Sequence, residues 1–266
     1  MKIEELFSVN KKIAVVTGGS RGIGEMIASA YLANGATVYI TSRKADVCDA
    51  KAVELSERYN AQCISLPSDL SSLEGIENFV KEVEALESGI DILVNNAGAA
   101  WAEPIDIFSE KGWDKVMDLN VKSVFFSTQK FLPLLMKNAT REDPSRVINI
   151  GSIDGIGTPI FETYPYSASK ASVHHMTRVL AARLVKENIL VNAIAPGPFP
   201  SDMLGSAVSH NYEGIISRNP VHRMGRAEDV GGLALYLSSK AGSYTVGETI
   251  TCDGGTISAT GHDLSE

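Results

Sequence analysis

The 266-residue chain reads as a doubly wound α/β protein, a seven-stranded parallel sheet with helices on both faces. Three observations carry this. Short, continuous apolar runs rich in Val and Ile alternate with longer stretches of helical period, the pattern of strands buried on both faces. A glycine-rich turn joins the first such run directly to the first helix. The two long irregular stretches, 151–165 and 196–226, each follow a strand, where sheets of this kind bind ligands.

The elements follow in order. Residues 13–17 form a buried strand and 23–34 a helix ended by Gly35; 37–41 is the second strand and 46–59 its helix. Strand 61–65 precedes helix 71–86, and 90–95 is the fourth strand. A long helix runs from 112 or 113 to 136, kinked near Pro133. Strand 146–150, helix 166–186, strand 189–195, helix 228–238 and strand 249–252 complete the chain. No repeat or low-complexity linker interrupts this series, so residues 1–266 read as one domain with a substrate loop at 196–226.

Composition sets the outer limits. With 44% hydrophobic and 21% charged residues, a sizeable core forms and global disorder is excluded. Lys plus Arg number 24 against 32 Asp plus Glu, a net charge of −8 that repels nucleic-acid phosphates and anionic membrane surfaces. No run of 18 apolar residues exists, and the acidic start Met1-Lys2-Ile3-Glu4-Glu5 gives no signal peptide. The three cysteines, Cys48, Cys63 and Cys252, form no CxxC pair, which fits reduced thiols in the cytoplasm.

The first strand runs into Thr17-Gly18-Gly19-Ser20-Arg21-Gly22-Ile23-Gly24. Glycines here let the backbone turn sharply and approach a pyrophosphate held at the positive end of the following helix. The spacing is GxxxGxG, so the GxGxxG fingerprint does not strictly apply, and no Gly-Lys-Ser/Thr makes it a P-loop. Charge selects the dinucleotide. An NAD site places a carboxylate at the end of the second strand, but here that strand ends Thr41-Ser42-Arg43-Lys44. Arg21, Arg43 and the Ser42 hydroxyl suit a 2′-phosphate and favour NADP(H). The alternative leaves Arg43 and Lys44 as solvated strand-end charges, with Asp46 capping the next helix.

Tyr166 and Lys170 lie four apart on one helix, hence on one face. An ammonium beside a phenol lowers its pKa, and a phenol brought towards neutrality exchanges a proton with a carbonyl or alcohol oxygen. The pattern is cheap. Tyr236 and Lys240 repeat it, but with no glycine-marked loop before them they read as surface packing. Ser152, just beyond strand 146–150, adds a hydroxyl for the same substrate oxygen.

Together, Thr17-Gly-Gly-Ser-Arg-Gly-Ile-Gly24, Asn95-Asn96-Ala97-Gly98, Asn120, Ser152, Tyr166 with Lys170 and Pro196-Gly197 resemble the single-domain, Rossmann-like short-chain dehydrogenase/reductases over residues 10–257. The resemblance implies Tyr166 as acid/base, Lys170 tuning it and holding the nicotinamide ribose, Ser152 binding the carbonyl, and Asn120 positioning a water in a proton relay. It also implies Asp69 and Leu70 at the adenine, Asn96, Ala97 and Gly98 along the cofactor, and Pro196, Gly197, Phe199 and Ser201 on the nicotinamide side. Ser201 stands where the family commonly has Thr. Asp253-Gly254-Gly255 resembles a structural C-terminal turn. Within the family, the loops are similar to those of rhamnolipid-associated NADPH-dependent β-ketoacyl reductases, which implies reduction of a 3-ketoacyl chain. Family members also assemble as homotetramers or homodimers through the two long helices.

Ala99, Trp101, Ile153, Asp154, Ile156, Phe161, Phe199, Met203 and Leu204 are candidate pocket walls for an apolar ketone, or simply loop packing. Adjacent His174 and His175 face different ways, and His210 and His222 lack a ligand framework, so no metal is expected. Ser152 has no GxSxG elbow, which excludes a hydrolase. The leading expectation is an NADPH-dependent carbonyl reductase. Its rivals are an alcohol or sugar-alcohol dehydrogenase working oxidatively and a non-catalytic NADP(H)-binding regulator.

Overall fold

The computed structural model describes residues 2–207 and 211–259. After one helical turn at Ile3–Leu6, strands β1 (Ile13–Thr17), β2 (Thr37–Thr41), β3 (Cys63–Ser65), β4 (Ile92–Asn95), β5 (Ser145–Ile150), β6 (Ile189–Pro196) and β7 (Thr249–Cys252) build one sheet. Its order is β3-β2-β1-β4-β5-β6-β7, and every pairing is parallel. The chain therefore winds outward from β1 to β3, then returns to lay β4 on the other side of β1. A crevice opens at that reversal, outside the carboxyl ends of β1 and β4.

The helices are α1 (Gly22–Ala33), α2 (Ala45–Tyr59), α3 (Leu73–Leu86), α4 (Glu110–Met117), α5 (Ser123–Asn138), α6 (Tyr164–Leu184), α7 (Asp202–Ala207), α8 (Glu213–Arg218) and α9 (Ala227–Ser238). Side chains alternate between the faces of a strand, and the core divides accordingly. Ala14, Val16, Val38, Ile40, Ile92 and Val94 pack with α1, α2 and α9, through residues such as Ile27, Leu55 and Leu237. Val15, Tyr39, Leu93, Val147 and Val191 pack with α3, α5 and α6, through Phe79, Phe131 and Ala181.

The doubly wound architecture and all seven strands agree with the sequence reading; most ends shift by one or two residues. The long helix expected from 112 or 113 departs from it. It starts at Glu110, passes through a π-helical turn at Asp118–Lys122, and continues as α5 through Pro133. The irregularity thus falls at Asn120, not at the proline. Within the 196–226 loop, α7 and α8 have six residues each, too few for a helical period to show in the sequence.

Phe131 is fully buried and meets the Phe79 ring edge-on, with centroids 5.6 Å apart, joining α5 to α3 beneath the sheet. Phe131→Ala is expected to cost about 3–5 kcal/mol in urea unfolding. A loss below about 1 kcal/mol would mean that this contact is not part of the cooperative core.

Candidate active site

Hydrogen bonds tie the carboxyl ends of β1, β4 and β5 together. The Thr17 hydroxyl accepts from the backbone N–H groups of Asn96 (2.9 Å) and Ala97 (3.0 Å) and donates to Val94 O. Asn96 Nδ2 returns bonds to the carbonyls of Thr17 (2.8 Å) and Gly18 (3.1 Å). The glycine turn is thereby fastened to the loop after β4. Gly18 sits at φ +65°, a region costly for residues with a Cβ. A Cβ on Gly24 would run into the Gly18 carbonyl oxygen, so the turn and the start of α1 pack too closely for any side chain there.

Across this turn lie the charges expected to choose a dinucleotide. Arg43 is exposed just beyond β2, and among the described residues no carboxylate pairs with it. Arg21 is not free in the same way, because its guanidinium meets Asp202 at 2.8 Å. Both partners are about 70% exposed (69% and 73%), so a phosphate dianion competes readily with so weak a pair. Ser42 Oγ donates to Lys44 O, and Asp69 accepts from Ser71 N in a turn that seats Leu70 in the core. Ser20 is buried inside the turn. Gly197 lies against Asp253, where a Cβ would come within 2.6 Å of the Asp253 Cβ. Ser201 caps α7 by accepting from Leu204 N, beside Gly22.

The reactive side chains gather at the carboxyl end of β5. Pro165 opens α6 in its first turn, where a missing N–H costs nothing, and brings Tyr166 and Lys170 inward. Ser152 is buried three residues past Asn149, and its hydroxyl hydrogen-bonds the Tyr166 phenol while accepting from Asp154 N at 3.1 Å. Lys170 Nζ donates to Ile150 O at 2.7 Å and stands 5.5 Å from the centre of the Tyr166 ring. Asn120, on the π turn, holds Ala99 through both its N–H (2.8 Å) and its C=O (3.0 Å) and donates to Ser169 Oγ (2.9 Å).

Burial dominates the electrostatics. It pushes the Tyr166 phenol up to about 12; Ser152 pulls the other way, and Asp154 adds to the rise. The expected lowering of the phenol by Lys170 does not appear in the free chain. Lys170 is itself brought down to about 8 by burial, which Asp154 opposes, and its Nζ is bound to a carbonyl rather than to the phenol. Burial likewise raises the Asp154 carboxyl, with Lys170 opposing.

Other expectations need correction. Phe199 is only 3% exposed and packs beneath Gly225 in the core, so its ring anchors the loop and is not offered to a cofactor or substrate. Trp101, a candidate pocket wall, is engaged by its neighbours. Its side chain hydrogen-bonds Glu103, Lys115 Nζ lies 4.5 Å over its ring, and Gly112 leaves room for its flank. Tyr236 bonds Thr245 and Lys240 lies beyond the end of α9, as befits surface packing. His210 and the Met203 side chain fall outside the described residues. Two groups escaped the sequence reading, the amide–hydroxyl chain Asn149, Thr128 and Thr177 and the hydroxyl of Ser169, and His174 is weighed there only as a metal ligand. Asn95 and Asn149 in otherwise apolar strands were the available signal, since a buried amide demands partners.

Residues 18–256 match the family described as enoyl-(acyl carrier protein) reductase, and the catalytic-end geometry spans that same stretch. The chain belongs to the short-chain dehydrogenase/reductase family. It is an oxidoreductase of that family. A rhamnolipids biosynthesis 3-oxoacyl-[acyl-carrier-protein] reductase of Pseudomonas aeruginosa is 45% identical over 251 residues, covering 94% of this dehydrogenase/reductase chain and 97% of the relative. A 2-dehydro-3-deoxy-D-gluconate 5-dehydrogenase of Dickeya dadantii is 35% identical over 261 residues, with 94% and 96% covered. Among solved structures, the Pseudomonas aeruginosa RhlG/NADP active-site complex superposes with a TM-score of 0.90 at 44% identity, covering 94% of this chain and 98% of that one. Fold and family agree with the sequence reading.

Lys170 provides a stability test. Between pH 8 and its ordinary 10.5 the unfolded chain holds the proton that the folded chain has lost. Keeping Lys170 charged therefore costs stability below pH 8, and the cost fades as pH rises. Lys170→Met is expected to be more stable than the parent at pH 7, by on the order of 1–3 kcal/mol, with the gap closing near pH 10.5. Urea unfolding at both pH values checks this; a parent more stable at pH 7 would contradict it.

Proposed function

We propose that the protein is an NADPH-dependent carbonyl reductase acting on a 3-oxoacyl thioester or a ketone of similar apolar build. The observation that carries this reading is the meeting of the Tyr166 phenol with the Ser152 hydroxyl, with the Lys170 ammonium close behind the ring. Relatives named as 3-oxoacyl reductases and a neighbour solved with NADP support it.

The residues fit the cofactor. A Cβ on Gly22 would meet only Ser201, at 3.6 Å, so the turn presents bare backbone to the cleft at the start of α1. Gly18, Ser20, Arg21, Gly22, Ile23 and Gly24 would cradle the pyrophosphate, and Ser42, Arg43 and Arg21 the 2′-phosphate. Asp69 and Leu70 would border the adenine. Asn96, Ala97, Gly98, Tyr166 and Lys170 would hold the nicotinamide half, together with Pro196, Gly197 and Ser201. When bound, NADPH supplies the hydride.

The chain's own residues do the rest. Ser152 Oγ and the Tyr166 hydroxyl hold the substrate oxygen, and Tyr166 gives it a proton as negative charge develops there. Lys170 keeps positive charge behind the phenol, which steadies the phenolate left after transfer. Asn120 spends its side-chain amide on Ala99 and Ser169, so its implied relay role would fall to its backbone. Reduction begins from the protonated phenol, the state that burial favours; oxidation would need the phenolate first. Asp154 beside Ser152 disfavours an anionic group next to the reacting carbon.

The same reading places the chain in the cytoplasm as one domain, assembled as a homotetramer or homodimer. Exposed Trp113, Phe125 and Val179 on α4, α5 and α6 support the assembly. No helix of the described residues is long and apolar enough to cross a membrane.

Tyr166→Phe is expected still to bind NADPH, weakened by no more than about tenfold through loss of one contact to the nicotinamide half, but to lower kcat by about 10²–10⁴-fold on 3-oxoacyl thioesters, followed by NADPH absorbance. Retained turnover would remove Tyr166 from the chemistry, and a parent that binds NADPH but reduces no ketone would favour the regulator. Arg43→Ala should weaken NADPH about 10–100-fold and leave NADH within about twofold. Equal losses for both would place the 2′-phosphate elsewhere.

A further inference from the structure

His174 lies two helical turns beyond Tyr166 on α6, buried beneath the arc that carries Ser152. The arc and the ring are fitted to each other. A Cβ on Gly151 would overlap His174 Nε2, and one on Gly155 would approach His174 Cε1 at 3.0 Å. Glycines therefore flank the arc where the imidazole enters it. The Ser152 N–H points at His174 Nε2, 3.4 Å away, and the ring also hydrogen-bonds the Gly155 backbone. With Nε2 accepting, the proton sits on Nδ1, the less common tautomer of free imidazole. Burial holds the ring neutral, as does the Lys170 ammonium nearby, so the acceptor stays available throughout the working pH range.

We infer that His174 is a positioning residue for Ser152. It fixes the backbone of Ser152 and Gly155 from below, and so aims the Ser152 hydroxyl at the substrate oxygen beside Tyr166. The inference rests on the proposed role of Ser152 as the carbonyl-binding hydroxyl. His174 touches neither substrate nor cofactor in this scheme. Packing alone would not require a lone pair at Nε2, whereas positioning does.

Two measurements on the full-length protein test it. Nitrogen-15 NMR of the labelled imidazole in the unaltered protein should show the Nδ1–H tautomer at pH 7; the Nε2–H tautomer would overturn the inference without any variant having to fold. The second is a cycle with Ser152→Ala. His174→Leu should lower kcat about tenfold or more with NADPH affinity unchanged within about twofold, and His174→Gln, which keeps an acceptor, should recover most of it. In the Ser152→Ala background, His174→Leu should have no further effect on kcat. Fully multiplying losses would mean that His174 does not act through Ser152. Full turnover by Ser152→Ala alone would instead defeat the proposed role of Ser152, a separate outcome.

Discussion

Two asparagine side chains buried in an apolar sheet hold the catalytic end together. Asn95 and Asn149 are register partners on β4 and β5, and Asn95 Nδ2 donates to Asn149 Oδ1 (2.9 Å) and to Thr128 Oγ1 (3.0 Å). Asn149 Nδ2 donates in turn to Thr177 Oγ1 at 2.9 Å. Thr128 and Thr177 each donate back to a carbonyl of their own helix, so α5 and α6 are locked to the two central strands. In a dry interior such bonds are strong, and leaving one partner unmade costs about 1–3 kcal/mol. From that lock α6 presents Tyr166, Lys170, His174 and Thr177, spaced by four, four and three residues, as one stripe towards the end of β5.

That polar stripe explains the directions of the shifts around the site. Lys170 and His174 are buried and Tyr166 half-buried, and desolvation pushes each towards its neutral form: the phenol up, the ammonium and the imidazole down. Cost to stability and readiness for chemistry have the same origin. A phenol held protonated is a ready donor, and an ammonium that is expensive to keep has strong reason to stabilise a phenolate beside it. The exposed pair Arg21–Asp202 is the opposite case. It links the glycine turn to α7 weakly enough to yield to a phosphate.

Much of this was legible in the sequence. The alternating periods gave the sheet and its helices, because strands buried on both faces leave continuous apolar runs. The glycine turn, Ser152, Tyr166 and Lys170 were legible because their chemistry needs those residue types at those spacings. Less visible was anything that depends on what fills the space beside a residue. Phe199 and Trp101 both read as pocket walls until Gly225 is seen above the Phe199 ring and Glu103 and Lys115 are seen to engage Trp101. The π turn at Asn120 carries no compositional mark, and a proline thirteen residues on drew the expected kink away from it. The direction of the phenol's shift is hidden from the sequence for a related reason. Spacing shows that Lys170 is near, but not that the Ile150 carbonyl holds its ammonium or that burial outweighs it.

The central claim is that burial keeps Tyr166 protonated as the proton donor. Its most direct test is an ultraviolet phenolate titration of the free protein, with the curve of the Tyr166→Phe protein subtracted. The missing phenol should ionise only near pH 12. A Tyr166 phenolate that forms below its ordinary value of 10.0 would contradict the account, and would show that Lys170 already dominates before any cofactor binds.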